Sequence, residues 1–134
     1  MTLDCAVAFW GKGAEVFIPN NVEVRIICDL TSGGTNPQVI KNLLKTHKQS
    51  VKHLDSLHAK VYVGKNAAIV TSANASYNGL GFEGNDTGTL EAGFVVTDAN
   101  ELEKIKDWFE EHYNSAVEIN DDKATSHNQF SPNC

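Results

Sequence analysis

Two short segments near the middle of the chain bring together side chains that can act on an anionic, oxygen-rich substrate. Residues 58–63 (His-Ala-Lys-Val-Tyr-Val) and 69–74 (Ile-Val-Thr-Ser-Ala-Asn) flank a Gly-Lys-Asn turn, a pattern typical of a β-hairpin. An imidazole can act as nucleophile or proton carrier, an ammonium supplies positive charge, and a hydroxyl and an amide donate hydrogen bonds. These groups suit a phosphodiester. The residues that carry them are His58, Lys60, Ser72 and Asn74.

The length of the turn decides which of these side chains face one another. A three-residue turn at 64–66 would place Val63 opposite Ala67, and His58 opposite Ser72. A two-residue turn would shift the pairing by one residue and put the hydroxyl on the other face of the hairpin. We predict the three-residue turn.

The pattern His-x-Lys, followed by Thr-Ser-x-Asn, resembles the HKD motif of the phospholipase D superfamily. Asn-Gly-Leu at 78–80 and Leu-Glu-Ala-Gly at 90–93 also resemble the family, and the likeness covers about residues 3–113, one repeat of the fold. One position departs, because the Asp expected five residues after the motif lysine is Lys65 here. Some nuclease-like members also lack that Asp, so the departure weakens the match to the lipid-hydrolysing branch more than to the superfamily.

The resemblance implies a mechanism as well as a fold. One histidine attacks phosphorus to give a phosphohistidine, and a second protonates the leaving oxygen, without a metal or another cofactor. Glu91, which opens a strand predicted to be buried, is implied to hydrogen-bond the His58 imidazole. Since the chain carries one motif, the resemblance implies a homodimer with both copies of His58 in one shared site. The catalytic set is then His58, Lys60, Ser72, Asn74 and Glu91.

The distribution of charge favours nucleic acid as the substrate. The net charge is −6, yet six of the eleven basic residues lie between 41 and 65, whereas twelve of the seventeen acidic residues lie between 83 and 122. This asymmetry can draw a polyanion toward the hairpin, although a solvated helix end followed by a lysine-rich loop is equally compatible with it. The lysines predicted to contact nucleic acid are Lys41, Lys45, Lys48, Lys52 and Lys65.

We therefore predict a metal-independent phosphodiester hydrolase, most simply a nuclease. One alternative is a non-catalytic module that binds nucleic acid or anions within a larger restriction or helicase-type protein. Phospholipid hydrolysis is a less favoured alternative than either of these, because the sequence has no amphipathic basic helix or apolar anchor that could bind a membrane. No metal site is predicted, because the remaining histidines lack Asp, Glu, Cys or His partners at ligand spacing. These histidines are His47, His53, His112 and His127.

The order of the predicted elements indicates an α/β domain with a mixed central sheet flanked by helices on both faces. The resemblance implies that this domain is a single phospholipase D-like repeat. A helix after Asp98 begins with a capping box completed by Glu101. Its apolar stripe contains Leu102, Ile105, Trp108 and Phe109. Besides the hairpin, we predict strands at 5–10, 22–30 and 91–96, an extended segment at 51–57, a helix at 37–46, a helical turn at 75–80 and a loop at 81–88.

Residues 1–117 are predicted to form one domain, followed by a polar, mobile C-terminal tail at 118–134 or the start of a further element. No apolar run approaches the roughly 20 residues that a membrane span requires. The three cysteines form no CxxC pair and fit buried thiols in a reducing compartment. We expect a cytoplasmic protein without a membrane contact.

Overall fold

The structure is a computed structural model of the chain, and it describes residues 2–14, 18, 21–31, 34–46, 50–75 and 90–119. The helical turn and loop predicted between 75 and 88 lie almost entirely outside this range, as does most of the predicted tail. The elements of the described residues are β1 (Thr2–Val7), β2 (Glu23–Cys28), α1 (Pro37–Thr46), β3 (Val51–His53), β4 (Lys60–Val63), β5 (Ala68–Thr71), β6 (Gly93–Val96), α2 (Ala99–Ser115) and β7 (Val117–Glu118).

The strands form one mixed sheet in the order β6-β5-β4-β1-β2-β3-β7. β1 runs parallel to β2, and β2 runs parallel to β3, whereas β4 is antiparallel to β1 and is followed by the antiparallel strands β5 and β6. One end of the sheet, at right angles to its edge strands, therefore holds the ends of β1, β2, β3 and β5 and the starts of β4 and β6. We call it the His58 edge, because that residue lies two positions before β4.

Each face of the sheet is covered by one helix, as the sequence predicted. The apolar stripe of α1 packs on one face against alternate residues of β1 and β2, such as Cys5 and Ile26. The residues between them, such as Ala6 and Ile27, pack on the other face against Phe109 of α2. This arrangement is the α/β fold with helices on both faces, and the burial of two opposite sets of strand residues is what holds it together.

The local patterns placed the helices well. α1 has the predicted bounds, and the Asn36 side chain accepts a hydrogen bond from Gln38 N at 2.8 Å. Asp98 caps α2 by accepting a hydrogen bond from Glu101 N at 3.0 Å. Neither helix described by the structure is long and apolar enough to cross a membrane.

Several strands differ from their predictions. The first was predicted at 5–10 but spans Thr2–Val7, and the extended segment predicted at 51–57 is a strand only over Val51–His53. The strand predicted at 91–96 to be buried begins at Gly93 and is an exposed edge strand, with Phe94 72% and Val95 60% exposed. It lies at the end of the sheet, where neither helix among the described residues covers it, and this is why the prediction of burial was wrong. β7 was not predicted; beyond it, Ile119 is buried and donates a backbone hydrogen bond to Val51 O at 3.1 Å.

The predicted register of the central hairpin is also wrong. Val63 pairs with Ala68 rather than with Ala67, and Gly64 N donates to Ala67 O at 2.8 Å. The turn therefore has two residues between its last paired positions. Extended to the His58 edge, this pairing puts Ala73, not Ser72, opposite His58.

Arg25 ties the two central strands to α2. Its guanidinium donates to both carboxylate oxygens of Asp4, at 2.9 and 2.8 Å, and to both oxygens of Glu110. It also lies over the rings of Phe109 and Tyr113, 5.1 and 4.9 Å from their centroids. Because the guanidinium stabilises the ionised carboxyl, the pKa of Glu110 is below its ordinary value.

This pair predicts part of the acid sensitivity of the fold. Since the folded pKa of Glu110 is below the unfolded value of about 4.5, the pair contributes fully above that pH and its contribution is lost as pH falls through the folded pKa. In urea unfolding between about pH 7 and 3, we expect Glu110→Gln to lose less stability than the unmutated chain. The difference should be a few tenths to about 1 kcal/mol, because the pair is solvent-exposed on the glutamate side. Glu111→Gln is the control, and an equal effect of both variants would contradict this role of the pair.

Candidate active site

His58 and Lys60 are in contact at the start of β4. Lys60 Nζ lies 3.4 Å from Nδ1 and 3.4 Å from Nε2 of His58, so the ammonium is equally close to both ring nitrogens. His58 is exposed and Lys60 is half-buried. The pairing follows from the two-residue spacing, because residues i and i+2 of an extended segment point to the same side. An accessible imidazole with an adjacent positive charge can approach and hold an anion.

Phe9 packs against this pair. Its ring is edge-on to His58, with 6.1 Å between centroids and an interplanar angle of 83°, and Lys60 Nζ lies 5.9 Å from its centroid. A Cβ at Gly34 would be 2.5 Å from Phe9 Cδ1, so only glycine leaves room for the ring there. This packing of Phe9 was not predicted, since nothing in the local sequence pattern links Phe9 to Gly34 or to His58.

Ser72 and Glu91 form a second polar group at the His58 edge. Ser72 Oγ donates to Glu91 Oε1 at 2.6 Å and accepts from Ala92 N at 3.0 Å. The backbone N of Ser72 also donates to Ala92 O at 2.9 Å, which extends the pairing of β5 with β6 by one residue. The serine therefore holds the carboxylate in place at the end of the sheet. The predicted hydrogen bond from Glu91 to the His58 imidazole remains a prediction.

Asn74 lies on a segment that crosses the His58 edge. After β5 the chain passes to Ala75, which forms a parallel bridge with Trp10 just beyond β1. Gly11 N donates to Ala75 O at 2.8 Å, which fixes the crossing. Since β4 lies between β5 and β1, this path brings Asn74 to the edge where His58 begins the neighbouring strand. Asn74 Oδ1 is buried and has no hydrogen-bond partner among the described residues, so this oxygen can accept a hydrogen bond from a further donor.

Tyr62 contacts the same segment, which leads from β5 to Ala75. It lies on the Lys60 side of β4, and its hydroxyl donates to Ala73 O at 3.4 Å. Burial, together with the nearby Cys5 thiol, raises the pKa of this phenol, so the hydroxyl stays protonated and remains a donor. A packing and positioning role therefore accounts for Tyr62.

Among the predicted nucleic-acid-binding lysines that the structure describes, Lys45 and Lys65 lie away from His58. α1 begins near the His58 edge, where Asn36 N donates to Trp10 O, and runs away from it. Lys45 in its last turn is therefore about 12 Å along the helix from its start. Lys65 lies at the far end of β4, roughly 20 Å of extended chain from His58. Lys41 occupies the second turn of α1, and Lys48 lies outside the described residues.

Lys52 is the one lysine of this set with a defined partner in the part of the chain that the structure describes. Its Nζ donates to Tyr113 O at 3.2 Å and lies 4.1 Å from the Tyr113 ring centroid. A cation at the carboxyl end of α2 interacts favourably with the carbonyls exposed there. This is a structural contact, and the role of the lysine set in nucleic-acid binding remains a prediction.

His53 has the acidic partners that the sequence analysis did not expect. Its Nδ1 accepts a hydrogen bond from Leu30 N at 3.0 Å, its Nε2 lies 2.8 Å from Asp55 Oδ1, and Asp29 Oδ1 lies 3.9 Å from Nδ1. The ligand atoms of Asp29, His53 and Asp55 lie within 4.8 Å of one another, close enough to be considered for a metal. However, the two carboxylates lie at different nitrogens of the ring, and the Nδ1 lone pair already accepts the Leu30 N–H. Because the carboxylates of Asp29 and Asp55 lie at different nitrogens of the His53 ring, the three side chains do not converge on one ion. The group therefore fits a hydrogen-bonded support better than a metal site.

An α/β sheet with His-x-Lys and Thr-Ser-x-Asn segments at one edge defines a class of phospholipase D-like proteins. The family model described as "Cardiolipin synthase, PLD-like domain" matches residues 18–113, well over half of the chain. The chain therefore belongs to the phospholipase D superfamily, whose members are phosphodiesterases.

Solved structures have the same fold. NucT from Helicobacter pylori has a TM-score of 0.71 at 20% identity, covering 88% of this chain and 82% of that one. Nuc from Salmonella typhimurium, a phospholipase D family member, has a TM-score of 0.65 at 13% identity, covering 89% and 82%. TrmBL2, an archaeal chromatin protein with its own mode of DNA binding, has a TM-score of 0.53 at 13% identity, covering 88% of this chain and 45% of that one. None of the curated proteins searched matches the chain.

Proposed function

We propose that this chain is a metal-independent phosphodiesterase that cleaves nucleic acid through a phosphohistidine at His58. The contact between His58 and Lys60, at 3.4 Å in an accessible position, carries the proposal. Membership of the phospholipase D superfamily supports it, because the family model spans both residues, whose His-x-Lys pattern resembles the family motif. Asn74, with its unpartnered amide oxygen, and the Ser72–Glu91 pair supply further polar groups at the same edge.

The proposed reaction uses two imidazoles. A ring nitrogen of one His58 forms a bond to phosphorus while the bond from phosphorus to the leaving oxygen breaks, and the second His58 gives its proton to that oxygen. Water then attacks phosphorus, its proton passes to the second imidazole, and the phosphorus–nitrogen bond breaks. Lys60 and Asn74 stabilise the negative charge on the phosphoryl oxygens in both steps. Because one ring must be neutral and the other protonated, the rate should have a bell-shaped dependence on pH.

A single chain holds one His58, so the second imidazole is proposed to come from a second copy of the chain. The exposed end of the sheet supports this arrangement. Ile69 and Val70 of β5 are 43% and 42% exposed, and Phe94 and Val95 of β6 are more exposed still. β6 has no outer neighbour among the strands that the structure describes, and an apolar edge strand of this kind is normally covered in a folded protein. It also adjoins Ser72 and Glu91, so a copy docked there lies next to the site.

Nucleic acid is the proposed substrate, and the cytoplasm the proposed compartment. The names of the structural neighbours support nucleic acid, since TrmBL2 is a chromatin protein that binds DNA. Cys5 and Cys28 are buried free thiols, and burial raises the pKa of both, which keeps them protonated and unreactive, as in a reducing compartment. The family model carries the name of a cardiolipin synthase, so a phospholipid belongs among the substrates tested.

The activity test uses the purified full chain in EDTA between about pH 5 and 8. Single-stranded and double-stranded DNA, RNA, an aryl phosphodiester and cardiolipin vesicles are each incubated with the protein. We expect cleavage of a nucleic acid and of the aryl phosphodiester, with the highest rate between the two ends of the pH range. If every phosphodiester stays intact, the hydrolase proposal is wrong.

Mixing subunits tests whether the site is shared. Unmutated chain and His58→Ala chain are unfolded together in equal amounts and refolded, so that the subunits assort at random. If each site needs both copies of His58, only the unmutated dimers are active, and activity per total chain falls to about one quarter. Independent sites would retain about one half. Asn66→Ala, at the far end of the hairpin, replaces His58→Ala in the control mixture, which should retain nearly full activity.

A second candidate function is binding of nucleic acid without cleavage, within a larger protein. The likeness to TrmBL2 favours it, since that DNA-binding protein has the same fold over less than half of its own length. Binding that persists in His58→Ala, together with no cleavage by the unmutated chain, would identify this function.

A further inference from the structure

A cavity of about 510 Å³ opens beside His58, between the chain that leads into β4 and the carboxyl-terminal half of α2. Residues 54–59 form one wall, and Trp108 and His112 form the other. His58 belongs to the lining, so the cavity adjoins the residue proposed to attack phosphorus. The proposed reaction makes no use of this space.

Two aromatic rings stand on the α2 side of the cavity. Trp108 and His112 are four residues apart and therefore share one face of the helix. Their centroids are 4.8 Å apart, and their planes are tilted by 59°. Both side chains are half-buried, so part of each ring remains accessible. The pair offers a flat surface and a second ring inclined to it, an arrangement that accepts another planar ring system.

The opposite wall is held rigidly by His53. Because Nδ1 of His53 accepts the Leu30 N–H, the proton of this imidazole is on Nε2, where it is donated to Asp55 Oδ1 at 2.8 Å. The next residue, Ser56, has a φ of 65°, a left-handed conformation that non-glycine residues rarely adopt. Strained backbone persists where the surrounding contacts enforce it, and it concentrates at binding sites. Asp55 and Ser56 thus provide a fixed polar rim.

We propose that this cavity is a nucleobase subsite, in which a base next to the scissile phosphate stacks on Trp108 and His112. The inference rests on the proposed function, since it assigns the base to a substrate whose phosphorus is bound at His58. A base can enter only when it is unpaired, so the subsite selects single-stranded nucleic acid or a frayed end. Stacking on an aromatic side chain is tolerant of sequence, because every base has a π-face.

Trp108 also has a structural role that any test must separate from binding. Its ring packs partly against the core cluster that contains Leu102 and Phe109. Trp108→Leu keeps an apolar side chain at this position but removes the stacking surface, and Trp108→Phe keeps both. Asn114→Ala, at an exposed position on the same helix, is the matched control. The measured quantity is a ratio of two affinities, which a partly unfolded sample does not change.

The experiment compares two oligonucleotides of equal length and charge, one with all of its bases and one fully abasic. Binding is measured by fluorescence anisotropy with the full chain, and every sample also carries His58→Ala so that nothing is cleaved. We expect the oligonucleotide with bases to bind roughly five- to 150-fold more tightly than the abasic one. This ratio should fall toward one in Trp108→Leu, be largely kept in Trp108→Phe, and be unchanged in Asn114→Ala.

Tryptophan fluorescence gives a second readout. The chain has two tryptophans, and Trp10 is fully buried, so quenching by a stacked base reports on Trp108. Equal binding of the two oligonucleotides, or a ratio that survives in Trp108→Leu, would overturn the subsite and leave the proposed hydrolase standing. If neither oligonucleotide binds and the unmutated chain cleaves no phosphodiester, the proposed function fails and the subsite fails with it.

Discussion

His58→Ala is expected to lower the rate of phosphodiester cleavage by more than about 10⁴-fold, because it removes both the nucleophile and the proton donor from a shared site. The fold should survive the change. His58 is exposed, and among the described residues its ring contacts are with Phe9 and the ammonium of Lys60. The melting temperature should therefore stay close to that of the unmutated chain, as is usual for a substitution at an exposed position. Initial rates with the aryl phosphodiester and thermal unfolding measure the two effects.

The covalent intermediate provides the decisive control for this variant. When the unmutated chain is quenched during turnover, mass spectrometry of its peptides should find phosphorus bound to His58. Asn66→Ala, at the opposite end of the hairpin, should form the same adduct. A His58→Ala chain that keeps turnover within about tenfold of the unmutated rate would mean that another group carries the chemistry.

The helices and the two-sided sheet were predictable because they depend on local patterns. Asn36 and Asp98 each precede a regular apolar stripe, and each accepts the capping hydrogen bond that its position predicts. The apolar strands β1 and β2 required cover on both faces, which α1 and α2 supply. In these elements the local propensity and the burial in the fold agree.

The turn at the tip of the central hairpin was not predictable in the same way. Gly64, Lys65 and Asn66 are compatible with turns of two or three residues, and a difference of one residue moves Ser72 to the other face. The structure resolves the choice through the pairing of Val63 with Ala68. Ser72 still reaches the His58 edge, but it does so as the partner of Glu91 beyond the end of β5. The residue set was therefore predicted on a partly wrong geometric argument, and its catalytic role remains a prediction.

Long-range contacts account for the other differences. Asp29 directly follows β2, and it meets His53 only because β2 and β3 pair in register, with Cys28 opposite His53. The lysines of residues 41–65 are neighbours in sequence, but α1 carries Lys45 away from the His58 edge, and β4 carries Lys65 away from it. Clustering along the chain is therefore a poor guide to clustering in space wherever an element reverses the direction of the chain.

Lys60→Met is the second substitution with a large expected effect. Methionine keeps the length and apolar stem of the side chain, so the packing near Phe9 should be kept while the ammonium beside the imidazole is lost. Loss of one group that stabilises negative charge in a transition state typically lowers the rate by about 10²–10³-fold. In a shared site the variant removes two such groups, so a decrease of at least about a hundredfold in kcat/KM is expected.

The form of this loss separates catalysis from simple attraction of a polyanion. If Lys60 only draws nucleic acid to the surface, the defect should shrink at high salt and be absent with the small aryl phosphodiester. If it stabilises the phosphoryl group next to His58, the defect should be similar for both substrates and nearly independent of salt. Lys104→Met is the matched control, since Lys104 is an exposed lysine on α2 whose ammonium bonds Glu101 at 3.0 Å. If Lys60→Met is as active as this control, Lys60 does not belong to the catalytic set, and catalysis at His58 does not need a positive charge from this residue.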